Sequence, residues 1–263
     1  ASNTTTAAAT NNMTEFGVAL FYASTTNGCQ NVTISNNIIS LNRTYTNTFG
    51  IYANSTHSAT SMTTSATATG TGGGNHNLAI TGNSISNVNQ GIVVVGPTAA
   101  TDQNTGMVIG GVGNGNTITN YGTAVQLSSY ANVSGTMNGI LVRNTNGYTL
   151  SSNIITSSAG GVTTGTLRGI YQPSGSNSPT GTFTNNVTNN TLSISSGAAT
   201  GGVQGITIEG SSATAASTLN LNNNSINSLN HTVASSGTIT ALSTAAPHLN
   251  TNINGNTFNN LTT

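Results

Sequence analysis

One unit constrains this chain more than any other: an apolar residue, two spacers, Asn, one spacer and another apolar residue. It appears as Ile34…Asn37-Ile-Ile39, Ile80…Asn83-Ser-Ile85, Leu150…Asn153-Ile-Ile155 and Val187…Asn190-Thr-Leu192. It returns as Leu221…Asn224-Ser-Ile226 and Ile253…Asn256-Thr-Phe258, and Asn116-Thr-Ile118 follows a glycine-rich variant beginning at Ile109. Successive Asn are 46, 33, 37, 37, 34 and 32 residues apart, which marks a repeat protein with connections of variable length.

Each copy alternates apolar and polar residues on both sides of the Asn, so two short strands meet at a bend. Asn is the non-glycine residue that best tolerates left-handed backbone, and its amide can bond local backbone; the Asn itself is expected to take that conformation. A third strand recurs, usually announced by glycine: Gly50-Ile-Tyr-Ala, Gly91-Ile-Val-Val, Thr123-Ala-Val-Gln-Leu, Gly169-Ile-Tyr-Gln, Gly205-Ile-Thr-Ile and Thr240-Ala-Leu. Gly17-Val-Ala-Leu precedes the first Asn, and Gly139-Ile-Leu-Val reads as an extra copy. Alternation places Ile92, Val94, Val125, Leu127, Ile206 and Ile208 on one face and Val93, Gln126 and Thr207 on the other.

Three short strands per unit, with only the Asn corner fixed in length, specify an all-β chain: a right-handed parallel β-helix of about seven to eight coils. Stacking would bring Asn37, Asn83, Asn116, Asn153, Asn190, Asn224 and Asn256 into one column at about 4.8 Å spacing, forming an amide ladder. Such regular recurrence favours a structural role for these Asn over ligand binding. Residues 1–16 read as a polar lead or the end of a preceding coil, and 17–263 as a single domain. The stretch 54–74 is the longest loop and the expected site of greatest mobility. Pro97 to Thr105, Ser157 to Thr166, Pro173 to Gly181 and Ser211 to Ser217 read as further loops.

Three acids (Glu15, Asp102, Glu209), three arginines (Arg43, Arg143, Arg168) and no lysine give zero net charge. Attraction to nucleic acid or to anionic membranes has no source in such a chain. No run approaches the ~18 apolar residues of a membrane span. The single Cys29 forms no intrachain disulfide and does not identify a compartment. The start, Ala1-Ser2-Asn3, reads as a mature or excised piece of a longer precursor.

The Asn-x-apolar copies and the Gly-Ile strands together resemble the pectin-lyase-like right-handed β-helix superfamily, and more narrowly the β-strand-repeat surface proteins of Bacteroidota-type bacteria. The resemblance covers about residues 17–262 and implies fold more than task. Its polysaccharide lyases and glycosidases imply clustered acids with Arg, Lys or calcium on one face. Here the carboxylates fall at different repeat offsets, whereas glycoside hydrolysis needs two within about 5–10 Å. His57, His76, His231 and His248 lack metal-ligand spacing. No catalytic residue, metal or cofactor is expected.

One outward feature has a pattern. Ser84, Ser86, Thr117, Thr119, Thr156, Thr191, Ser193, Ser225 and Thr257 flank the inward residue after each Asn, with Asn227 beside Ser225. Ser/Thr columns on a flat face suit carbohydrate or ice, although Ser and Thr also suit any solvent-facing strand. The expectation is a non-catalytic extracellular or cell-surface segment, a stalk, adhesin body or fibre subunit. Its partners would be copies of itself or flanking coils, end to end, and polysaccharide. A carbohydrate- or ice-binding module is the alternative, and a degenerate polysaccharide-active enzyme the third reading.

Overall fold

The computed structural model describes residues 14–43, 47–56, 68, 70, 72–99, 101–122, 136–159, 165–173, 181–209, 217–245 and 248–263. Among them every regular element is a strand, and no helix is long and apolar enough to cross a membrane. The strands stack in chain order into three parallel sheets, a solenoid-like arrangement. The first sheet comprises Thr14–Phe21, Asn47–Asn54, Gln90–Val95, Met137–Arg143, Leu167–Gln172, Val203–Ile208 and Ile239–Thr244. The second comprises Thr33–Ser35, Ala79–Thr81, Val108–Gly110, Thr149–Ser151, Phe183–Thr188, Ser217–Asn222 and Asn250–Asn254. The third, entered after each Asn, comprises Ile38–Ser40, Ser84–Val88, Thr117–Tyr121, Ile154–Ala159, Thr191–Ser196, Ser225–His231 and Thr257–Phe258, with Leu261–Thr262 also on Ser225–His231. Asn104–Thr105 pairs Thr145–Asn146 in a small fourth sheet.

Register explains the repeat unit. Ile34, Ile80, Ile109, Leu150, Val187, Leu221 and Ile253 are successive partners in the second sheet. Ile39, Ile85, Ile118, Ile155, Leu192, Ile226 and Phe258 are successive partners in the third. With Ile51, Ile92, Ile140, Ile170 and Ile206 of the first sheet, all of these but the last of each row, Ile253 and Phe258, line one continuous core. A one-residue slip would turn each row to solvent, so the apolar spacing fixes the register.

The glycine that announces each first-sheet strand has a steric cause. A β-carbon on Gly50, Gly91, Gly139, Gly169 or Gly205 would collide with Ile85, Ile118, Ile155, Leu192 or Ile226, the inward residue after the Asn bend. The glycine leaves the room that this side chain fills. It also sets two inward positions side by side, Gly169 and Ile170, so that Arg168 and Tyr171 both face out.

Four expectations need correction or placement. The fourth first-sheet strand is Met137–Arg143, so the Gly139 copy is a regular member of the stack and not an extra. The Thr123–Leu127 copy, with Val125, Gln126 and Leu127, lies outside the described residues, as does most of the loop 54–74. The first strand opens at Thr14, three residues before the expected boundary at 17, and pairs Thr14 to Phe21 with Asn47 to Asn54. Two expected loops carry strand: Asn104–Thr105 in one, and Ser157 to Ala159 in the other. The outer face of the first sheet is partly covered. Val93 and Thr207 are buried there, and Phe49, Tyr52, Val93, Val95 and Leu141 form a second apolar cluster with Phe16 and Tyr171. Aromatic packing drives this, with Phe16 stacked 5.5 Å from Phe49 and Phe49 edge-on to Tyr52 at 4.9 Å.

Candidate functional site

The seven repeat asparagines form one hydrogen-bonded column at the bend between the second and third sheets. From Asn37 to Asn83 to Asn116 to Asn153, each Nδ2 donates to the next Oδ1 at 3.0, 2.9 and 3.0 Å. The line continues through Asn190, Asn224 and Asn256 at 3.0, 3.0 and 3.1 Å. The same Oδ1 also accepts the backbone N–H of the preceding Asn, as in Asn116 to Asn153 at 3.1 Å and Asn153 to Asn190 at 3.0 Å. The second Nδ2 proton goes back one repeat, from Asn190 to the Leu150 carbonyl at 2.9 Å and from Asn224 to the Val187 carbonyl at 2.8 Å. Asn83, Asn116, Asn153, Asn190 and Asn224 are buried, and each side chain uses its donors and its acceptor within the stack. Nothing remains on these five to hold a ligand.

The left-handed residue is the one before the column, not the Asn itself. Asn36, Gly82, Ser152, Asn189, Asn223 and Gly255 have φ between 57° and 65°. This frees the following Asn to hold an extended backbone and aim its amide along the stack. The glycine-rich copy turns differently, with φ of 86° at Gly110 and 72° at Gly113.

The Ser/Thr positions share one face of the third sheet, but as broken rows. One row runs Ile38, Ser84, Thr117, Ile154, Thr191, Ser225, Thr257. Ile38 is 88 % exposed in it and Ile154 is exposed as well. The other runs Ser86, Thr119, Thr156, Ser193, and a bulge then pairs Ser193 with Ser228. Asn227 is the extra residue of that bulge, next to the Ser225 hydroxyl at 2.7 Å.

Two polar arrangements were missed from the sequence. On the outer face of the second sheet Asn252 donates to Asn220 and Asn220 to Asn186, both at 2.8 Å, a second amide line. The other is on the outer face of the first sheet. The Arg168 guanidinium lies 3.9 Å over the Tyr171 ring, and its Nε donates to Gln204 Oε1 at 2.5 Å. The Tyr171 hydroxyl donates to Glu209 Oε2 at 2.9 Å. Burial raises the Tyr171 pKa first, and the Glu209 carboxylate it donates to raises it further, while Arg168 and Arg143 pull it back. Arg143 thus stands within electrostatic reach, and its Nε is buried with no acceptor among the described residues. Half of the chain's six formal charges converge here, in an otherwise almost uncharged protein. The sequence carried one hint, since Arg143 and Glu209 occupy the same place relative to Gly139 and Gly205.

The carboxylates do not gather. Glu15 lies in the first strand of the first sheet and Glu209 follows the sixth, five strand steps apart or about 24 Å. Asp102 accepts from the Thr101 hydroxyl at 2.9 Å in a loop. His76 is engaged with Thr105 at 3.0 Å, and His248 lies edge-on to Phe183 at 6.0 Å. His57 lies outside the described residues, and among those described no three His, Cys, Asp or Glu meet as a metal set.

The fold and the column together define an all-strand, parallel solenoid held by buried amides. No family model, curated protein or solved structure matches this chain.

Proposed function

We propose that the chain is a non-catalytic structural and adhesive segment of a bacterial surface or secreted protein, acting extracellularly as a stalk or end-to-end stacked subunit. In this reading it is a right-handed parallel β-helix of about seven to eight coils. It would belong with the pectin-lyase-like superfamily and near the β-strand-repeat proteins of Bacteroidota-type bacteria. The observation that carries the reading is the Asn column, whose buried amides bond repeat to repeat from Asn37 to Asn256. A chain that devotes its most regular polar residues to its own stacking is built to hold a shape. An antibody against the chain, applied to intact cells of the source organism, tests it. Labelling of the outer surface or of secreted material is the expected result, and labelling confined to the cytoplasm would overturn it.

A second reading, carbohydrate binding, rests on Arg168, Tyr171, Gln204 and Glu209. The half-exposed Arg168, Tyr171 and Gln204 side chains beside the Glu209 carboxylate offer a sugar charged and neutral hydrogen-bonding partners. Calorimetry against neutral and acidic polysaccharides tests it. Binding that Tyr171→Ala abolishes supports this reading, and binding unchanged by that substitution contradicts it.

A further inference from the structure

Arg143, Arg168 and Glu209 meet on the outer face of the first sheet without forming an ion pair among the described residues. Leu141 pairs with Tyr171 and Gln172 with Ile208, so in continued register Arg143, Pro173 and Glu209 come level on three successive strands. The Glu209 N–H donates to the Gln172 carbonyl at 2.8 Å, which carries the ladder to that level. Alternation turns Arg143 and Glu209 outward, whereas Val142 and Ile208 belong to the inner core. Two strand steps set the Arg143 and Glu209 backbones roughly 9.6 Å apart. Pro173 lies between them and is buried, as are Leu141 and Val95, the register partner of Arg143. A cation and an anion thus flank an apolar floor.

We propose that this slot binds a small dipolar ion, a carboxylate and an ammonium joined by a short apolar chain lying over Pro173. The proposal goes beyond both readings above and shares only Glu209 with the carbohydrate surface. The carboxylate goes to Arg143, whose guanidinium makes no hydrogen bond with the described residues and whose Nε is buried without an acceptor. Such a donor has already lost its water, so an arriving carboxylate gains more there than at a solvated arginine. Arg168 does not compete, because it donates to Gln204 and covers the Tyr171 ring. The ammonium goes to Glu209, whose Oε2 accepts from the Tyr171 hydroxyl at 2.9 Å and whose Oε1 is left to accept from a ligand. A ligand with a single charge would leave one of the two side chains unmatched, so complementarity selects both ions together. Strand side chains stand roughly perpendicular to the sheet, so the two charges keep about the spacing of their backbones. Allowing about 2.8 Å for each charge-assisted contact leaves roughly 4 Å between the ligand's ions, the span of about two or three methylene groups.

The test is a nuclear magnetic resonance titration of the 263-residue chain with 4-aminobutanoate, butanoate and butylammonium. The dipolar probe is expected to bind about tenfold more tightly than either single ion. Arg143→Gln is expected to lower its affinity to that of butylammonium, and Glu209→Gln to that of butanoate. Arg143→Lys, which keeps the charge, is expected to keep the preference. Circular dichroism checks that each variant is folded. If one is not, the parent in rising salt decides, because screening of both contacts must shrink the preference. A parent that binds none of the probes, or all three equally, overturns the proposal, as does a preference unchanged by the two glutamine substitutions or by salt. Surface labelling and the loss of polysaccharide binding in Tyr171→Ala are read independently, so the earlier readings fail separately from this one.

Discussion

A β-carbon on Gly91 would stand 2.9 Å from Cγ2 of Ile118, and closer still to the carbonyl oxygen of Gly139 in the next strand. The same relationship holds between Gly139 and Ile155 at 2.7 Å, and between Gly205 and Ile226 at 3.0 Å. Two distant sequence signals, the glycine and the apolar residue after the Asn, are thus the two halves of one contact. Gly91→Ala should cost about 1–3 kcal/mol through overpacking, more if the Gly139 backbone cannot yield. Urea unfolding measures it. In the double variant with Ile118→Ala the combined loss should be smaller than the sum, because the cavity receives the methyl group. Additive losses would mean that the two residues do not share this space.

The Asn column should be strong in its middle and weak at its end. Asn190→Ala leaves the backbone N–H of Asn153 and the Leu150 carbonyl without their partners, and both lie in the buried stack. About 1–3 kcal/mol is expected for each buried group left unsatisfied. Asn37 is exposed and begins the line, so Asn37→Ala should cost about 1 kcal/mol or less. Equal losses at the two positions, read from denaturant midpoints, would contradict a cooperative column.

Ile155 is fully buried between Ile118 and Leu192 in the third-sheet row. Ile155→Ala should destabilise by about 2–5 kcal/mol, and Ile155→Asn by several kcal/mol in total because an amide is then buried without partners. The neighbouring Ile154 faces out, and Ile154→Thr should change stability by less than about 0.5 kcal/mol. Thermal melts of the pair read the inward and outward register directly.

Alkali should destabilise the protein. Burial raises the phenol pKa of Tyr121 and Tyr148 above the ordinary value of 10.0, and raises that of Tyr171 as well. A group whose folded pKa is raised contributes stability that is fully present below its unfolded pKa. That stability is lost as pH rises through the folded value, so the loss begins above about pH 10. Ultraviolet titration of tyrosinate should show ionisation and loss of circular dichroism together. Independent ionisation in a still-folded chain would contradict the burial of Tyr121 and Tyr148.

The inward rows were legible because one periodicity serves them all: Ile80, Ile109 and Leu150 keep the same offset from the Asn while loops between them stretch. The position of the left-handed residue was legible too, and misplaced by one. The residue before the column is Asn36, Gly82, Ser152, Asn189, Asn223 or Gly255 in six of the seven copies, small or amide-bearing each time. The outer face of the first sheet was not legible. Arg143, Arg168, Tyr171, Gln204 and Glu209 come from three successive strands joined by connections of unequal length, so beyond the shared offset of Arg143 and Glu209 from their glycines no spacing announces them. Val93 and Tyr52 likewise look like outward residues by alternation alone, and only packing across strands shows that Phe16 and Phe49 gather them into a cluster.

Hydrogen exchange followed by nuclear magnetic resonance tests the column most directly, because it reads each Asn separately. The backbone amides of Asn83, Asn116, Asn153 and Asn190, which donate to the next Asn Oδ1, should be among the slowest in the protein. Their side-chain amide protons should be protected as well. Side-chain protons at these four residues that exchange as fast as those of the exposed Asn259 would contradict a stack held by buried asparagines.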